Sequence, residues 1–391
     1  MESTRSHLAD RVRAAVVDRT PLRIRGGGSK DFYGRSLEGE VLDTTGLAGI
    51  VSYEPSELVV TVGAGTPLAE LEAVLAAQGQ CLPFEPPHFA WSGARQATVG
   101  GMVAAGLSGP ARASAGAVRE FVLGLQMVNG RGESLIFGGQ VMKNVAGYDV
   151  SRMLVGSMGT LGLITEVSLK VLPVAPAEAT LVFELDQAQA LDCLHRWGGQ
   201  PLPLNASCWV RDDTDPRGAR DLLFVRLRGA VAAVEAACRT MLAGQPGTRM
   251  DNAQASGDWQ LCRNQQLPFF TQPPAAGHVL WRLSVAQTAP VLSLPWPQLV
   301  EWHGGVRWLW APVDAGAQLQ ALARDHGGHA TLFVAAGAVS TGSADRFATQ
   351  NPALMAIQRR LKDTFDPQGI FGPGRLFDFS SASSHANQPR P

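Results

Sequence analysis

Three consecutive glycines follow a short strand-like segment near the start of the chain and stand between the cations Arg25 and Lys30. Glycine has no Cβ, so residues 26–28 can take positive φ and let neighbouring main-chain N–H groups converge on one point. Such a loop forms a nest for an anion, and a phosphate would fit there. A tight turn flanked by a solvated Arg and Lys is the alternative that this stretch alone leaves open.

Further glycine clusters occur in the same half of the chain, at Gly63-Ala64-Gly65, at Gly100-Gly101 and between residues 156 and 162. Each is a place where a ligand or another backbone can approach closely. For Gly100-Gly101 alone, tight packing of a helix is the other explanation. Several such places within one half of the chain nevertheless indicate a large, elongated cofactor.

Two well-known phosphate-binding fingerprints fail on this sequence. After Gly63 and Gly65, the third glycine position of a dinucleotide fingerprint holds Leu68. The acidic residue about 20 positions further on, Glu85, sits among prolines and not at the end of a second strand. The P-loop pattern fails at Asp31, where a Ser or Thr should follow the lysine. We therefore expect neither a Rossmann fold nor a P-loop.

The composition limits the size class and the kind of partner. The chain has 391 residues, 45% of them hydrophobic, which predicts two or three globular domains. Its formal net charge is -1, so nothing electrostatic favours nucleic acid or an anionic membrane as a partner. The first thirty residues contain no secretory apolar region, and the longest apolar run, 332–339, is too short to span a membrane. We expect a cytoplasmic protein.

Cysteine and histidine spacing gives no metal or disulfide pattern. The five cysteines are widely separated and include no C-x-x-C pair, so neither an iron–sulfur cluster nor a disulfide framework is expected. His326 and His329 form the one tight histidine pair. Their linker, Gly327-Gly328, is typical of a turn and not of a rigid helical face, so we expect no metal site.

Residues 82–88 form an extended segment that is stiffened by prolines. Pro86 could press on a planar ring system, or the segment could be an ordinary loop. Further on, residues 123–128 alternate like a strand and turn at Asn129-Gly130 into residues 133–136, which predicts a hairpin.

After a proline-rich joint at residues 173–177, the sequence changes character. Strand and helix patterns alternate, which predicts an α+β plait with antiparallel pairing. A helix through Leu354, Ile357, Leu361 and Phe365 should then return to the first domain. The predicted plait strands are 181–185, 206–210 and 222–227, followed by a second part with 279–285, 307–311 and 331–335.

The order of these motifs resembles the FAD-binding domain of the vanillyl-alcohol-oxidase (PCMH) type, and most closely the FAD-binding (E) subunit of bacterial glycolate oxidase. The resemblance covers essentially the whole chain. It rests on Arg25-Gly26-Gly27-Gly28-Ser29, Ala97-Thr98-Val99-Gly100-Gly101, Gly147-Tyr148-Asp149, the stretch 155–165 and a closing signature at 365–376. It implies an α+β fold with a PCMH-type FAD-binding domain over 1–173, an α+β plait cap over 178–345, a C-terminal segment over 346–380 that returns to the first domain, and a disordered tail over 381–391.

The resemblance also implies roles for the matching residues. Amides of the 26–29 loop would hold the FAD pyrophosphate, and Ser114 and Gly116 would lie near its other side. The 98–101 segment would run beside the ribityl chain and flavin ring, and backbone around 159–164 would cover the adenine end. The predicted cofactor-binding set is Arg25, Gly26, Gly27, Gly28, Ser29, Pro86, Thr98, Gly100, Gly101, Ser114, Gly116, Gly159, Gly162 and Ile164.

Two departures from the family pattern affect the cofactor. Ala115-Gly116 stands where the family often has Tyr-Gly, so one aromatic contact is missing. Members that attach flavin covalently use a His in the first loop or a Cys near the second glycine cluster. Here those places hold Ser29 and Lys30, and residues 94–98, which contain neither. The FAD is therefore expected to bind non-covalently.

In function, the resemblance implies the FAD-binding subunit of a glycolate oxidase or dehydrogenase complex, which oxidises glycolate, a 2-hydroxy acid, to glyoxylate. Its partners would be a second flavin subunit and an iron–sulfur subunit. The resemblance leaves open whether that complex is attached peripherally to the inner face of the membrane. A self-sufficient FAD-dependent 2-hydroxy-acid dehydrogenase and a non-catalytic structural subunit are the alternatives.

The catalytic residues stay unassigned at this level. Hydride abstraction from a hydroxyl-bearing carbon needs a base for the alcohol proton and a cation for the carboxylate. In related dehydrogenases the cap supplies a histidine-rich metal motif and an arginine for the substrate carboxylate, and the metal motif is absent here. The candidate cations are Arg282, Arg307, Arg346 and Arg375, and a surface or structural role is the alternative for each of them.

Overall fold

The computed structural model describes residues 2–35, 37–89, 96–139, 149–213, 218–334, 346–348 and 350–377. Gly147-Tyr148 of the predicted motifs and the predicted tail 381–391 lie outside the described residues. Within these ranges the α-helices are α1 (Glu2–Asp18), α2 (Leu68–Ala76), α3 (Val99–Ala105), α4 (Arg112–Ala115), α5 (Val150–Met153), α6 (Gln187–Gly198), α7 (Val231–Gly244), α8 (Asn252–Arg263), α9 (Pro268–Thr271), α10 (Gly316–Asp325) and α11 (Pro352–Phe365). The strands are β1 (Leu22–Arg25), β2 (Glu40–Asp43), β3 (Ile50–Glu54), β4 (Val59–Gly63), β5 (Gln80–Cys81), β6 (Val122–Val128), β7 (Ser134–Gly138), β8 (Leu163–Lys170), β9 (Leu172–Pro173), β10 (Ala177–Glu184), β11 (Leu204–Asp212), β12 (Arg220–Gly229), β13 (Thr248–Arg249), β14 (His278–Ser284), β15 (Gln298–Glu301), β16 (Val306–Pro312) and β17 (His329–Val334).

The N-terminal half is built on a five-stranded antiparallel sheet with the order β3-β4-β8-β6-β7. Helix α2 covers one face, because Leu68, Leu71 and Leu75 recur at helical spacing and are all fully buried. Helix α3 joins the same core through Val99 and Met102. The predicted hairpin is present as β6 and β7, and the small residues around Gly100 form a packed helix.

The glycine triplet directly follows β1, which pairs in parallel with β2. The C-terminal segment lies on the other side of β1, where the Leu22 N–H donates to the Ile370 carbonyl at 2.7 Å. Asp366 is buried and accepts the N–H groups of Ile370 and Phe371 at 3.1 and 2.8 Å. These contacts fix the chain after α11 to the N-terminal half.

The second half forms one eight-stranded sheet with the order β13-β10-β12-β11-β15-β16-β14-β17, whose neighbouring strands are antiparallel. Helices α6, α7 and α10 pack on one face through apolar side chains such as Leu194, Val234 and Leu319. The opposite face carries aromatic side chains, among them Trp308 and Phe333, that pack with Phe89 and Leu107 of the N-terminal half. The predicted α+β class and antiparallel pairing are confirmed, and the two predicted parts of the plait share one continuous sheet. We propose that the FAD-binding domain spans 1–173, that the cap spans 178–345 and that the returning segment spans 346–380.

Strand β15 was not predicted from the sequence, and it joins the two parts of that sheet. It is only four residues long, follows Pro295 and Pro297, and ends at a kink where Trp302 and His303 have φ of 55° and 53°. All four of its residues are buried, so no alternation of polar and apolar side chains marks it.

A buried ion cluster connects the proline-rich segment to the cap sheet. Both carboxylate oxygens of Glu85 accept hydrogen bonds from Arg226 at 2.7 Å, and one also accepts from Arg228 at 3.0 Å. The Ala111 N–H donates to the same carboxylate at 3.0 Å. Burial acts to raise the pKa of Glu85, but the charges of Arg226 and Arg228 prevail and lower it. The acidic residue that mimicked a dinucleotide fingerprint thus has an interface role.

Candidate functional site

The loop after β1 presents main-chain donors that no described residue uses. Gly28 has φ +74°, the left-handed conformation that lets consecutive N–H groups converge. Among the described residues, the N–H groups of Gly27, Gly28 and Ser29 donate to no acceptor. Ser29 is only 6% exposed, so solvent does not readily satisfy these groups. The loop therefore has the geometry of an anion nest.

Close backbone packing fixes this loop against helix α3. A Cβ on Gly26 would lie 2.3 Å from Thr98 Oγ1, closer than any real side chain tolerates. Thr98 is itself the N-cap of α3 and accepts the Gly101 N–H at 3.3 Å. Glycine at position 26 is therefore required by the protein's own packing, whatever the loop binds.

Eleven of the fourteen predicted cofactor-binding residues line one open cleft, which we call the 26–29 cleft. It encloses about 960 Å³, counting the part that is open to solvent. Its floor is the glycine loop, and its far wall comes from the segment before β8. The eleven are Arg25, Gly26, Gly27, Gly28, Ser29, Thr98, Gly100, Gly101, Gly159, Gly162 and Ile164.

Pro86, Ser114 and Gly116 do not belong to the described lining of this cleft and lie towards the cap. The Pro86 carbonyl accepts a hydrogen bond from Arg263 Nε at 2.8 Å. Ser114 Oγ shares a hydrogen bond of 3.1 Å with His303 Nε2, and burial lowers the pKa of His303 to about 4. Gly116 ends the short helix α4. Their roles in cofactor binding stay predictions.

The cleft also contains charged residues outside the predicted set. Burial, assisted by the charge of Arg263, lowers the pKa of Lys30 to about 8. Arg375 comes from the C-terminal signature and donates to the main-chain carbonyls of Arg35, Asp31 and Tyr33. Lys30 was visible from the sequence as a cation beside the triplet, whereas Arg375 reaches the cleft only through the tertiary fold.

These groups fit the diphosphate of a dinucleotide. The unused N–H groups and Ser29 are hydrogen-bond donors, and Arg25, Lys30 and Arg375 supply positive charge along the same wall. Arg25 is partly neutralised by Asp31, whose carboxylate lies 2.8 Å from its Nε. The cleft therefore offers main-chain recognition and a modest excess of positive charge.

The four candidate cations for a substrate carboxylate lie in different environments. Arg307 lies on the helix-covered side of the cap sheet and donates to the Ala289 carbonyl at 3.2 Å. Arg346 donates to the Phe32 carbonyl at 2.7 Å, and Arg375 to three carbonyls. Arg282 alone among the four lines a second, smaller cavity between the two halves.

No cluster of three or more His, Cys, Asp or Glu side chains that could hold a metal occurs in the described part of the chain. His326 Nδ1 lies 2.9 Å from the Leu322 carbonyl at the end of α10. Among the described helices, none combines the length and the apolar character that a membrane span requires.

Comparison with known proteins agrees with this geometry. Residues 3–138 match the family described as "FAD binding domain". Over 371 residues the chain is 43% identical to glycolate oxidase subunit GlcE of Escherichia coli, which covers 95% of this chain and 96% of that protein. It is 33% identical over 187 residues to a D-lactate dehydrogenase of Archaeoglobus fulgidus, which covers 47% of this chain and 41% of that protein.

Solved structures with low sequence identity show the same fold. The 4-ethylphenol oxidase of Gulosibacter chungangensis superposes with a TM-score of 0.69 at 14% identity, over 96% of this chain and 88% of that chain. The fold and the cleft therefore define an FAD-binding oxidoreductase. Within that class, the chain belongs to the family of glycolate oxidase subunit GlcE. The predicted fold class and the predicted cofactor, FAD, are confirmed.

Proposed function

We propose that this protein is the FAD-binding subunit of a glycolate oxidase complex that oxidises glycolate to glyoxylate and passes the electrons to partner subunits. The observation that carries the proposal is the 43% identity to glycolate oxidase subunit GlcE over 95% of the chain. Identity over nearly the full length includes the cap as well as the FAD-binding half. The proposal therefore extends beyond the cofactor to the reaction.

In this proposal the N–H groups of Gly27, Gly28 and Ser29 bind the FAD diphosphate, and Arg25 and Lys30 balance its charge. When bound, FAD would supply the redox chemistry, since a flavin can take up a hydride and release electrons one or two at a time. The glycine loop holds the diphosphate without a flexible side chain, so the cofactor's position is set by backbone packing against Thr98. The binding is non-covalent, because Ser29 and Lys30 stand where a flavin-linking His would be.

The partners are, in the same proposal, a second flavin subunit and an iron–sulfur subunit. The sequence supports this because its five cysteines include no closely spaced pair for a cluster of its own. The name of the relative, glycolate oxidase subunit GlcE, also supports the presence of partner subunits. A location in the cytoplasm, with the complex at the inner face of the membrane, belongs to this proposal as well.

A second candidate function is a self-sufficient 2-hydroxy-acid dehydrogenase. The cavity around Arg282 favours it, because Arg282 Nε is shielded from solvent without an acceptor among the described residues, and a chain that only relays electrons has no need of such a cation. A structural subunit that does not use FAD is the third reading.

The purified single chain tests these possibilities. We expect it to be yellow, with about one FAD per chain by absorbance, and to keep its colour when glycolate is added in the absence of air. Bleaching by glycolate would favour the self-sufficient enzyme. A colourless chain that cannot be loaded with FAD would contradict both and leave the structural role.

A further inference from the structure

An open groove lies beside the 26–29 cleft, and we call it the α11 groove. Its walls are helix α11, the short helix α5 with the chain that follows it, and the segment after α11. It has about 760 Å³ of accessible space. Apolar side chains in its walls include Met153, Val155, Leu161, Ile357 and Leu361. Met153 and Ile357 are 42% and 52% exposed, so this is a surface groove and not a closed cavity.

Helix α11 is largely uncovered by its own chain. Phe365, at its C-terminal end, is the only one of its fourteen described residues that is buried. Leu354, Ile357, Leu361 and Phe365 recur at helical spacing and form one apolar stripe. Leu361 and Phe365 pack on the N-terminal half, whereas Leu354 is 50% exposed, like Ile357. The stripe therefore begins in the core of this chain and continues into solvent.

A helix of this length needs packing along its apolar face. Isolated helices shorter than about 12–15 residues are marginally stable in water, and in proteins most of their stability comes from tertiary contacts of an amphipathic face. The first two turns of α11 bury no residue against the described chain. Met153 on α5 adds a third exposed apolar side chain to those of Leu354 and Ile357. Exposed apolar side chains gathered in one place indicate a contact with another molecule.

The strongest polar groups of the groove are already used within the chain. Lys362 Nζ donates to the carbonyls of Thr160 and Phe371 at 2.7 and 2.8 Å and to the Asp366 carboxylate at 2.6 Å, which are the three donors of an ammonium group. Arg375 donates to three main-chain carbonyls. These groups leave little to orient a small polar ligand, so the groove is better suited to the apolar side of a polypeptide.

The described residues around the groove carry more positive than negative charge. Five cations and three carboxylates lie on α5 with its N-cap, on α11 and in residues 366–377, although the whole chain has a formal net charge of -1. A partner segment that is flanked by carboxylates would therefore be complementary. The cations are Arg152, Arg359, Arg360, Lys362 and Arg375, and the carboxylates are Asp149, Asp363 and Asp366.

The α11 groove and the 26–29 cleft share a wall. Gly372 and Arg375 line both of them. Within residues 157–160, Met158 and Gly159 line the cleft, while the residues on either side of this pair line the groove. A single main-chain segment thus separates the two, and a protein bound in the groove would lie next to the cofactor site.

We propose that the α11 groove is the docking site for the iron–sulfur partner of the complex, which would present an apolar segment flanked by carboxylates. This inference rests on the proposed function and names the surface through which this chain meets that partner. Apolar side chains of the partner would cover Met153, Leu354 and Ile357, and its carboxylates would lie near Arg360.

Co-expression of this chain with the second flavin subunit and the iron–sulfur subunit tests the proposal. The complex is purified through a tag on this chain, and iron per chain reports the iron–sulfur subunit. We expect Ile357→Asp to lower the co-purified iron about tenfold or more, because the docked partner would bury the new carboxylate. Val231→Asp is the matched control, since Val231 is a β-branched residue that is 56% exposed on α7 of the cap. It should leave the iron within about twofold.

Two further variants and two further measurements separate docking from folding. Leu354→Asp changes the same stripe one turn earlier and should also lose the iron. Arg360→Glu should lower the iron about two- to fivefold, and the difference from the parent should shrink as salt is added. Because all three side chains are exposed, FAD per chain and the thermal unfolding midpoint of the isolated chain should stay at the parent's values. A purely structural role would lower both.

The proposal is overturned if Ile357→Asp and Leu354→Asp keep as much iron as the parent, and the proposed subunit function then stands. It is also overturned if Val231→Asp loses the iron equally. A dimer of the isolated parent chain that Ile357→Asp dissociates would give the groove to a second copy of this chain. A parent that retains neither the iron–sulfur subunit nor the second flavin subunit contradicts the proposed function itself, and this proposal falls with it.

Discussion

The 26–29 cleft and the smaller cavity that Arg282 lines between the two halves lie next to each other, but the chain forms their polar surfaces in different ways. The cleft presents main-chain N–H groups from one continuous stretch of sequence, and the glycines there allow close approach. The cavity presents side chains from residues as far apart as Phe89 and Trp308. Main-chain N–H groups suit a diphosphate of fixed shape, whereas the side chains of the cavity depend for their positions on packing between the two halves.

The largest effect is expected at Glu85, which joins the two halves of the molecule that form the cleft and the cavity. Glu85→Ala would leave Arg226 buried without a carboxylate and would remove one of the two carboxylates that pair with Arg228, at a cost of about 3–5 kcal/mol in the free energy of unfolding. Urea denaturation followed by tryptophan fluorescence measures it. Glu178→Ala is the control, because this half-exposed partner of Arg228 should contribute less than about 1 kcal/mol.

The same cluster gives a pH dependence with a definite sign. The folded pKa of Glu85 lies below its usual value, so its contribution is present above about pH 4.3 and is lost as the pH falls through the lower folded pKa. Below about pH 4.3, the free energy of unfolding should therefore fall more steeply with decreasing pH in the parent than in Glu85→Ala, which has no such contribution to lose. Equal losses of stability in Glu85→Ala and Glu178→Ala would show that this cluster does not hold the two halves together.

The next effect concerns the packing of the cleft. Gly26→Ala places a methyl group against Thr98 Oγ1, and we expect about 1–3 kcal/mol of destabilisation together with a loss of bound FAD. Gly139→Ala is the control, since nothing lies within 4 Å of its Cβ and its φ is not positive. For each variant, flavin absorbance per chain measures the bound FAD and thermal unfolding measures the loss of stability. Full FAD content in Gly26→Ala would mean that the loop can move away from α3 without losing its nest.

A smaller effect is expected from Glu301 in the cavity wall. Its folded pKa is about 7 and its unfolded value about 4.3, so the folded state holds the proton longer, and stability falls as the pH rises between these values. Arg282, Cys262, Cys208 and the Trp308 N–H surround it. From pH 5.5 to 7.0 the parent should lose about 2 kcal/mol more than Glu301→Gln. If the free energies of unfolding of the parent and of Glu301→Gln change with pH in parallel, the Glu301 carboxylate is more accessible to water than the structure indicates.

The smallest effect is expected at Lys30, where the cleft and the cavity meet. Lys30→Met removes a cation from the cleft, so FAD should bind about tenfold more weakly at pH 7, equivalent to about 1.4 kcal/mol. The parent's affinity should decline as the pH rises through about 8, where Lys30 loses its charge, and the variant's should not. Fluorescence titration of the apoprotein with FAD at pH 7 and pH 9 measures both. The same decline in the variant would assign the pH dependence to another group.

Sequence reasoning succeeded for the parts of the molecule that depend on local pattern. The apolar spacing of α2, the Asn129-Gly130 turn and the glycine triplet are each readable within a few residues. It missed β15, whose four buried residues carry no periodicity, and with it Glu301. It named Arg282 as one of four candidate cations but could not distinguish it from Arg307, because the two differ only in the face of a sheet whose register the sequence does not reveal.

The sequence by itself determined that the loop at 26–28 can take positive φ and admit close approach by an anion, because glycine has no Cβ. Tertiary structure alone decided which cation faces a cavity and which carboxyl group is buried beside it. Those two facts depend on antiparallel register and on the contact between two halves of the chain, and both are set by packing over long sequence separations.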